Sequence, residues 1–170
     1  EGSINLGSIN LVPSSFDDIL IGEIDTNLAV KWAKLITAFG ASDSKHTTQT
    51  KNMDYINGSL YLSGMMKGGF APYGEEEARI ASKSTPLNGF VIKCDASNGE
   101  WLGGVSADEQ GIGGYFGVAK GKENNLYAYG YSWATPNKGI CLTTIDESSW
   151  EKTERIAFIP ETGMGTAWSC

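Results

Sequence analysis

The stretch Phe90-Val91-Ile92-Lys93-Cys94-Asp95-Ala96-Ser97-Asn98-Gly99-Glu100-Trp101 decides the fold. It is a short apolar run closed by an aspartate, then a polar turn, then an aromatic residue that opens a second strand. Asx and Gly residues favour so tight a reversal, because a side-chain oxygen or freedom at positive φ satisfies the turn locally. The same design recurs in Leu20-Ile21-Gly22-Glu23-Ile24-Asp25, followed by Thr26-Asn27 and Trp32. It recurs again in Cys141-Leu142-Thr143-Thr144-Ile145-Asp146, followed by Glu147-Ser148-Ser149 and Trp150. Each copy predicts a β-hairpin with its tryptophan opening or lying inside the second strand. Asp25, Asp95 and Asp146 are expected to accept N–H bonds from the turns that follow them.

A second pair of segments interleaves with these. Tyr55-Ile56-Asn57-Gly58-Ser59-Leu60-Tyr61-Leu62-Ser63-Gly64 matches Gly121-Lys122-Glu123-Asn124-Asn125-Leu126-Tyr127-Ala128-Tyr129-Gly130 as strand end, Asn-rich turn and Leu-Tyr-x-x-Gly. Naming the four strands of one unit a, b, c and d, the chain reads c-d (18–37), a-b-c-d (46–105), a-b-c-d (114–159) and a lone a-strand (163–170). That last strand is expected because Gly163-Met164-Gly165-Thr166-Ala167-Trp168 is similar to Gly114-Tyr115-Phe116-Gly117-Val118-Ala119. Equivalent aspartates stand 70 and then 51 residues apart, the excess being one long insertion. A four-stranded repeat of about 40–50 residues is the period of a β-propeller blade. The pentapeptide repeat Gly2-Ser3-Ile4-Asn5-Leu6, Gly7-Ser8-Ile9-Asn10-Leu11 falls in a leading segment (1–17), expected to be a linker or an earlier strand pair.

Strand parity carries the packing. One position before the aspartates stand Ile24, Cys94 and Ile145; four before, on the opposite face, stand Ile21, Val91 and Leu142. With both faces apolar, these strands are expected to be covered on both sides, as in a blade packed between two neighbours.

Composition agrees and excludes some partners. The 170 residues hold 22 glycines, about 13% against a usual share of about 7%, and aromatics reach 11%. Many turns joining short aromatic strands give that mixture, so the expected class is all-β. With 13 Lys+Arg against 20 Asp+Glu the net charge is −7, which leaves no basic face for a nucleic-acid backbone. No apolar run is long enough for a transmembrane segment or a signal-peptide core. Cys94, Cys141 and Cys170 form no closed disulfide set and no metal-ligand spacing, and His46 is the single histidine. Cys94 takes the slot of Ile24 and Ile145, so it reads as a small buried hydrophobe.

The stretch from Phe90 to Trp101 resembles the strand–Asp–x–x–x–Gly–x–Trp signature of quinoprotein-like and related bacterial β-propeller repeats. The likeness spans most of residues 18–170. Its Asp-to-Trp spacing is seven, six and four residues in the three copies, and only the middle copy keeps the glycine. Lacking a vicinal Cys pair or Trp-disc pattern, the chain is expected to carry no quinone and no other cofactor. The resemblance implies about two and a half blades of a propeller in an exported or cell-surface bacterial protein. An open ring leaves sheet faces exposed, so the remaining blades are expected in the same protein or in another chain.

Function is sought on the loops. The a→b and c→d turns are short and share one rim, whereas 38–45, 67–88, 106–113 and 132–138 are longer and share the other. Binding residues concentrate on loops carried by a rigid scaffold. The ligand-binding candidates are therefore Trp133, Tyr73 and Phe70, with His46, and the expected partner is a protein or glycan. Flat aromatic rings with a polar edge suit both. The competing reading has Trp133 and Tyr73 capping apolar blade ends. Asp17-Asp18 and Glu75-Glu76-Glu77 lack calcium-loop spacing and read as solvated acids. His46 has no Ser-centred elbow or Cys partner, so no catalytic residue is nominated. The expected function is a non-catalytic binding segment. The alternatives are part of a propeller enzyme, a polysaccharide hydrolase or lyase with catalytic residues mostly outside this chain, and a plain structural spacer.

Overall fold

The computed structural model describes residues 2–14, 18–39, 49–81, 87–107, 112–132 and 139–158. The expected strand at 163–170 lies outside them. A leading hairpin pairs β1 (Ile4–Leu6) with β2 (Ile9–Leu11). Next come β3 (Ile19–Ile24), β4 (Val30–Phe39), β5 (Gln49–Ile56), β6 (Ser59–Met66), β7 (Gly69–Pro72) and β8 (Ile80–Ala81). The chain continues through β9 (Asn88–Asp95), β10 (Trp101–Ser106), β11 (Ile112–Lys120), β12 (Asn125–Ser132), β13 (Gly139–Asp146) and β14 (Lys152–Phe158). The protein is all-β, and three four-stranded antiparallel sheets make up its body. Among the described residues there is no helix, hence none long and apolar enough to cross a membrane.

The middle sheet has the order β5-β6-β9-β10 and the last sheet β11-β12-β13-β14, each a meander. The first sheet departs from expectation. Its order is β3-β4-β7-β8, so the c-d pair is extended by two strands from the segment 67–88, where a long loop is expected from the sequence. Residues 69–72 add antiparallel to the far end of β4, with Ile36 opposite Pro72 and Phe39 opposite Gly69. The reason is burial: Phe70 and Ala71 are fully buried and Ile80 nearly so, and a solvated loop would leave all three in water.

Two apolar layers hold the sheets together. Ile21, Ile36 and Phe70 of the first sheet meet Leu62, Phe90, Ile92 and Cys94 of the middle sheet. On the other side, Tyr61, Val91 and Val105 meet Tyr115, Val118, Leu126, Cys141 and Ile145. Phe70 and Phe90 touch edge to face across the first layer, with centroids 5.0 Å apart. In the second, the Tyr115 hydroxyl and Thr143 Oγ1 share a buried hydrogen bond of 2.8 Å.

Coverage differs among the three equivalent strands. Phe90, Val91, Ile92 and Cys94 of β9 are all at most 1% exposed, because that sheet is sandwiched. In β3 Ile21 is buried, but Leu20 and Ile24 are 43% and 60% exposed; in β13 Cys141 and Ile145 are buried, but Leu142 is 44% exposed. The expectation that all three strands are covered on both sides therefore holds for the middle sheet alone. The outer two have one neighbour each. Met53 and Tyr55 of β5 are also exposed, on the face where the first sheet has no a- and b-strands to oppose them.

Trp150 corrects a second expectation. It does not open a strand but occupies the turn before β14 in the left-handed region (φ 58°), four residues after its aspartate, as Gly99 does (φ 71°). From there the indole lies on Gly103 of the middle sheet, where an added Cβ would stand 2.2 Å from the ring. Packing across the layer outweighs the cost of about 1–2 kcal/mol for a side chain in that conformation.

Candidate binding cleft

The three aspartates create matching turns. Asp25 Oδ1 accepts N–H bonds from Asn27 and Ala29 (2.8 and 2.9 Å), Asp95 Oδ1 from Ser97 (2.7 Å) and Asp146 Oδ1 from Ser148 (2.8 Å). These bonds hold all three carboxyls below their ordinary value of 3.8. For Asp25 the Ala29 amide is the largest cause; for Asp95 and Asp146 it is the serine hydroxyl two residues on. In the middle turn, Gly99 donates its N–H to Asp95 O at 2.8 Å, and Asp95 donates to Glu100 O at 2.8 Å. Gly99 is pressed against the first sheet, where a Cβ would fall 2.5 Å from the Trp32 ring, and the Trp32 indole N–H donates to Glu23 at 3.2 Å. This fit fixes the height at which Glu100 and Trp101 meet the first sheet.

A cleft opens at that seam, with a volume of about 410 Å³. The first sheet lends it Lys34, Leu35, Ile36, Pro72, Tyr73 and Arg79; the middle sheet and its turn lend Cys94, Gly99, Glu100 and Trp101; Leu11 of the leading hairpin closes one side. Cys94 lies at the floor. Burial pushes its thiol up to about 11, only partly opposed by the charge of Lys34, so it is a neutral apolar surface rather than a nucleophile. Tyr73 is half exposed at 51%. Arg79 is committed to Glu75 through both arms, its Nε donating at 2.8 Å.

Of the four candidate residues, Phe70 and Tyr73 are described, and they do not share a surface. Trp133 and His46 lie outside the described residues. Phe70 is a core residue at 0% exposure, out of reach of any ligand. Tyr73 does meet other polar and aromatic groups, but on the outer flank. Because β7 runs antiparallel to β4 from Phe39 back to Ile36, the hairpin tip 73–79 points toward the c→d turns and away from the long-loop rim. Its companions Trp101, Lys34 and Glu100 carry no signal of a shared site in the sequence, since nothing there marks 69–72 as the strand that joins β4.

A second constellation lies across the other layer. Glu147, in the turn after β13, is 6% exposed and accepts hydrogen bonds from the Tyr61 hydroxyl and from Lys93 Nζ (2.9 Å), while Lys120 Nζ pairs with its other oxygen. The Lys120 ammonium is pushed down by desolvation and by the charge of Lys93. With one carboxylate held by two lysines, this cluster fastens two sheets and leaves no free acid or base. Among the described residues no group of three or more His, Cys, Asp and Glu side chains is placed to hold a metal ion. The seam cleft offers aromatic walls, a neutral floor and charged groups at its mouth, an arrangement that can bind a small ligand. Comparison with known proteins gives no match: no family model, curated protein or solved structure is similar to the chain.

Proposed function

We propose that this chain is a non-catalytic segment of a β-propeller, from an exported or surface protein, that binds a glycan or protein ligand. Propeller membership is supported by the three exposed apolar areas. Leu20 with Ile24, Ile140 with Leu142, and Met53 with Tyr55 lie where further strands of the repeat would stack. Further blades, in the same protein or another chain, are the partners that such faces call for.

The observation that carries the binding reading is the seam cleft, where Tyr73 and Trp101 face a common space of about 410 Å³. That volume is within the range of small-ligand sites, roughly 300–1,000 Å³. The reading moves the binding surface from the long-loop rim to the outer flank. Glycan and peptide arrays probed with the wild-type chain and with Tyr73→Ala test it. The wild type is expected to select a small set of ligands, and Tyr73→Ala to weaken their retention at least fivefold at unchanged stability. Retention that ignores the substitution, or no selected ligand at all, removes the proposal.

A further inference from the structure

The cleft contains a charge in a place strand geometry reserves for apolar side chains. On β4, alternation turns Trp32, Lys34 and Ile36 to the face that meets the middle sheet. Ile36 is buried there, and Trp32 packs on Gly99. Lys34, between them and opposite Ile21 in register, is the exposed member of the row. Lys34 and Cys94 line the same cleft, so the ammonium stands at the cavity whose floor the thiol forms. Among the described residues Lys34 has no carboxylate partner, whereas Lys31, Arg79, Lys93 and Lys120 are paired with Glu23, Glu75 and Glu147. The positive charge of Arg79 is offset by Glu75, so Lys34 sets the sign on its side of the cleft. Glu100 supplies an acceptor on the other side.

We infer that the cleft takes a sugar acid, a single uronic-acid unit of a glycan, with its carboxylate on Lys34, its hydroxyls toward Glu100 and its ring against Tyr73 and Trp101. The inference rests on the glycan branch of the reading above. A pyranose ring presents an apolar C–H face that suits flat aromatic walls, and a carboxylate gains a charge-assisted hydrogen bond from a free ammonium. The net charge of −7 works against a long polyanion, so one isolated or terminal acidic unit is selected rather than a polyuronate stretch.

The test titrates the whole chain with two disaccharides of one linkage, ending in glucuronic acid or in glucose, followed by NMR chemical shifts and calorimetry. A galacturonic acid/galactose pair repeats the comparison. The acid is expected to bind about tenfold tighter than its neutral counterpart. Lys34→Gln should abolish that preference at unchanged thermal stability, bringing acid and neutral sugar to equal affinity, and Tyr73→Ala should weaken both sugars. Equal affinity for acid and neutral sugar, a preference that survives Lys34→Gln, or binding of an acidic peptide in place of the sugar acid overturns this inference alone. Failure of the wild type to bind any of these sugars or a peptide overturns the cleft reading itself.

Discussion

Glu147→Gln isolates what the ion cluster contributes to joining two sheets. The substitution keeps the side chain's size and removes its charge, leaving Lys93 and Lys120 without their counter-ion at 23% and 28% exposure. Breaking a fully buried pair costs about 3–5 kcal/mol, and losing an exposed one about 0–1 kcal/mol. Here the acid is nearly buried while both lysines can turn partly to water, so a cost of about 2 kcal/mol is expected. For a chain of this length that corresponds to a fall in Tm of about 4–8 °C. Urea denaturation followed by tryptophan fluorescence, with thermal melts by circular dichroism, gives both numbers. Lys93→Met alone and with Glu147→Gln completes a double-mutant cycle. A coupling near 1 kcal/mol is expected, because Lys93 sits on the middle sheet and Glu147 on the last. Stability changed by less than about 0.5 kcal/mol, or a coupling of zero, would show that the cluster is a surface ornament and that apolar packing alone unites the sheets.

Three other outcomes follow from the same contacts. Gly103→Ala places a Cβ 2.2 Å from the Trp150 indole and is expected to cost about 1–3 kcal/mol; in the background of Trp150→Ala the added cost should largely vanish, and purely additive costs in a cycle would refute the contact. Asp25, Asp95 and Asp146 have folded values below their ordinary 3.8, so the stability they add is complete above that pH and fades as pH falls through the lower folded values. Denaturation midpoints between pH 5 and 2 should therefore fall less steeply in Asp146→Asn than in the wild type, and parallel curves would contradict it. Cys94 and Cys141 are both buried, so peptide-resolved alkylation at neutral pH should leave them unlabelled until urea unfolds the chain. Labelling of Cys94 in the native protein at the rate of an exposed thiol would contradict its place on the cleft floor.

Local chemistry made much of the architecture readable. Each strand–Asp–turn unit completes itself within about six residues, through the aspartate oxygen and the amides that follow it. The pairing of β5 with β6, of β9 with β10 and of β11 through β14 is between sequence neighbours joined by turns or short insertions. The cleft was much less legible. Tyr73 was visible as an aromatic on an insertion, but its direction depends on which strand edge residues 69–72 join, and hydrophobic pattern does not name a partner. Phe70 looked like a ligand contact for the same reason: an aromatic in a polar insertion and an aromatic in a core strand have the same letters around them.

By itself, then, the sequence determined the all-β class, the turn positions, the pairing of adjacent strands and the apolar role of Cys94, because each depends on groups a few residues apart. Only the tertiary structure decided that β7 and β8 complete the first sheet, that Glu147 reaches across to Tyr61 and Lys93, and that Tyr73, Trp101 and Lys34 share one cleft. Those contacts join residues far apart in the chain. They form only when burying a surface such as that of Phe70 outweighs the entropy of closing the loop between them, a balance set by the whole fold and not by any local pattern.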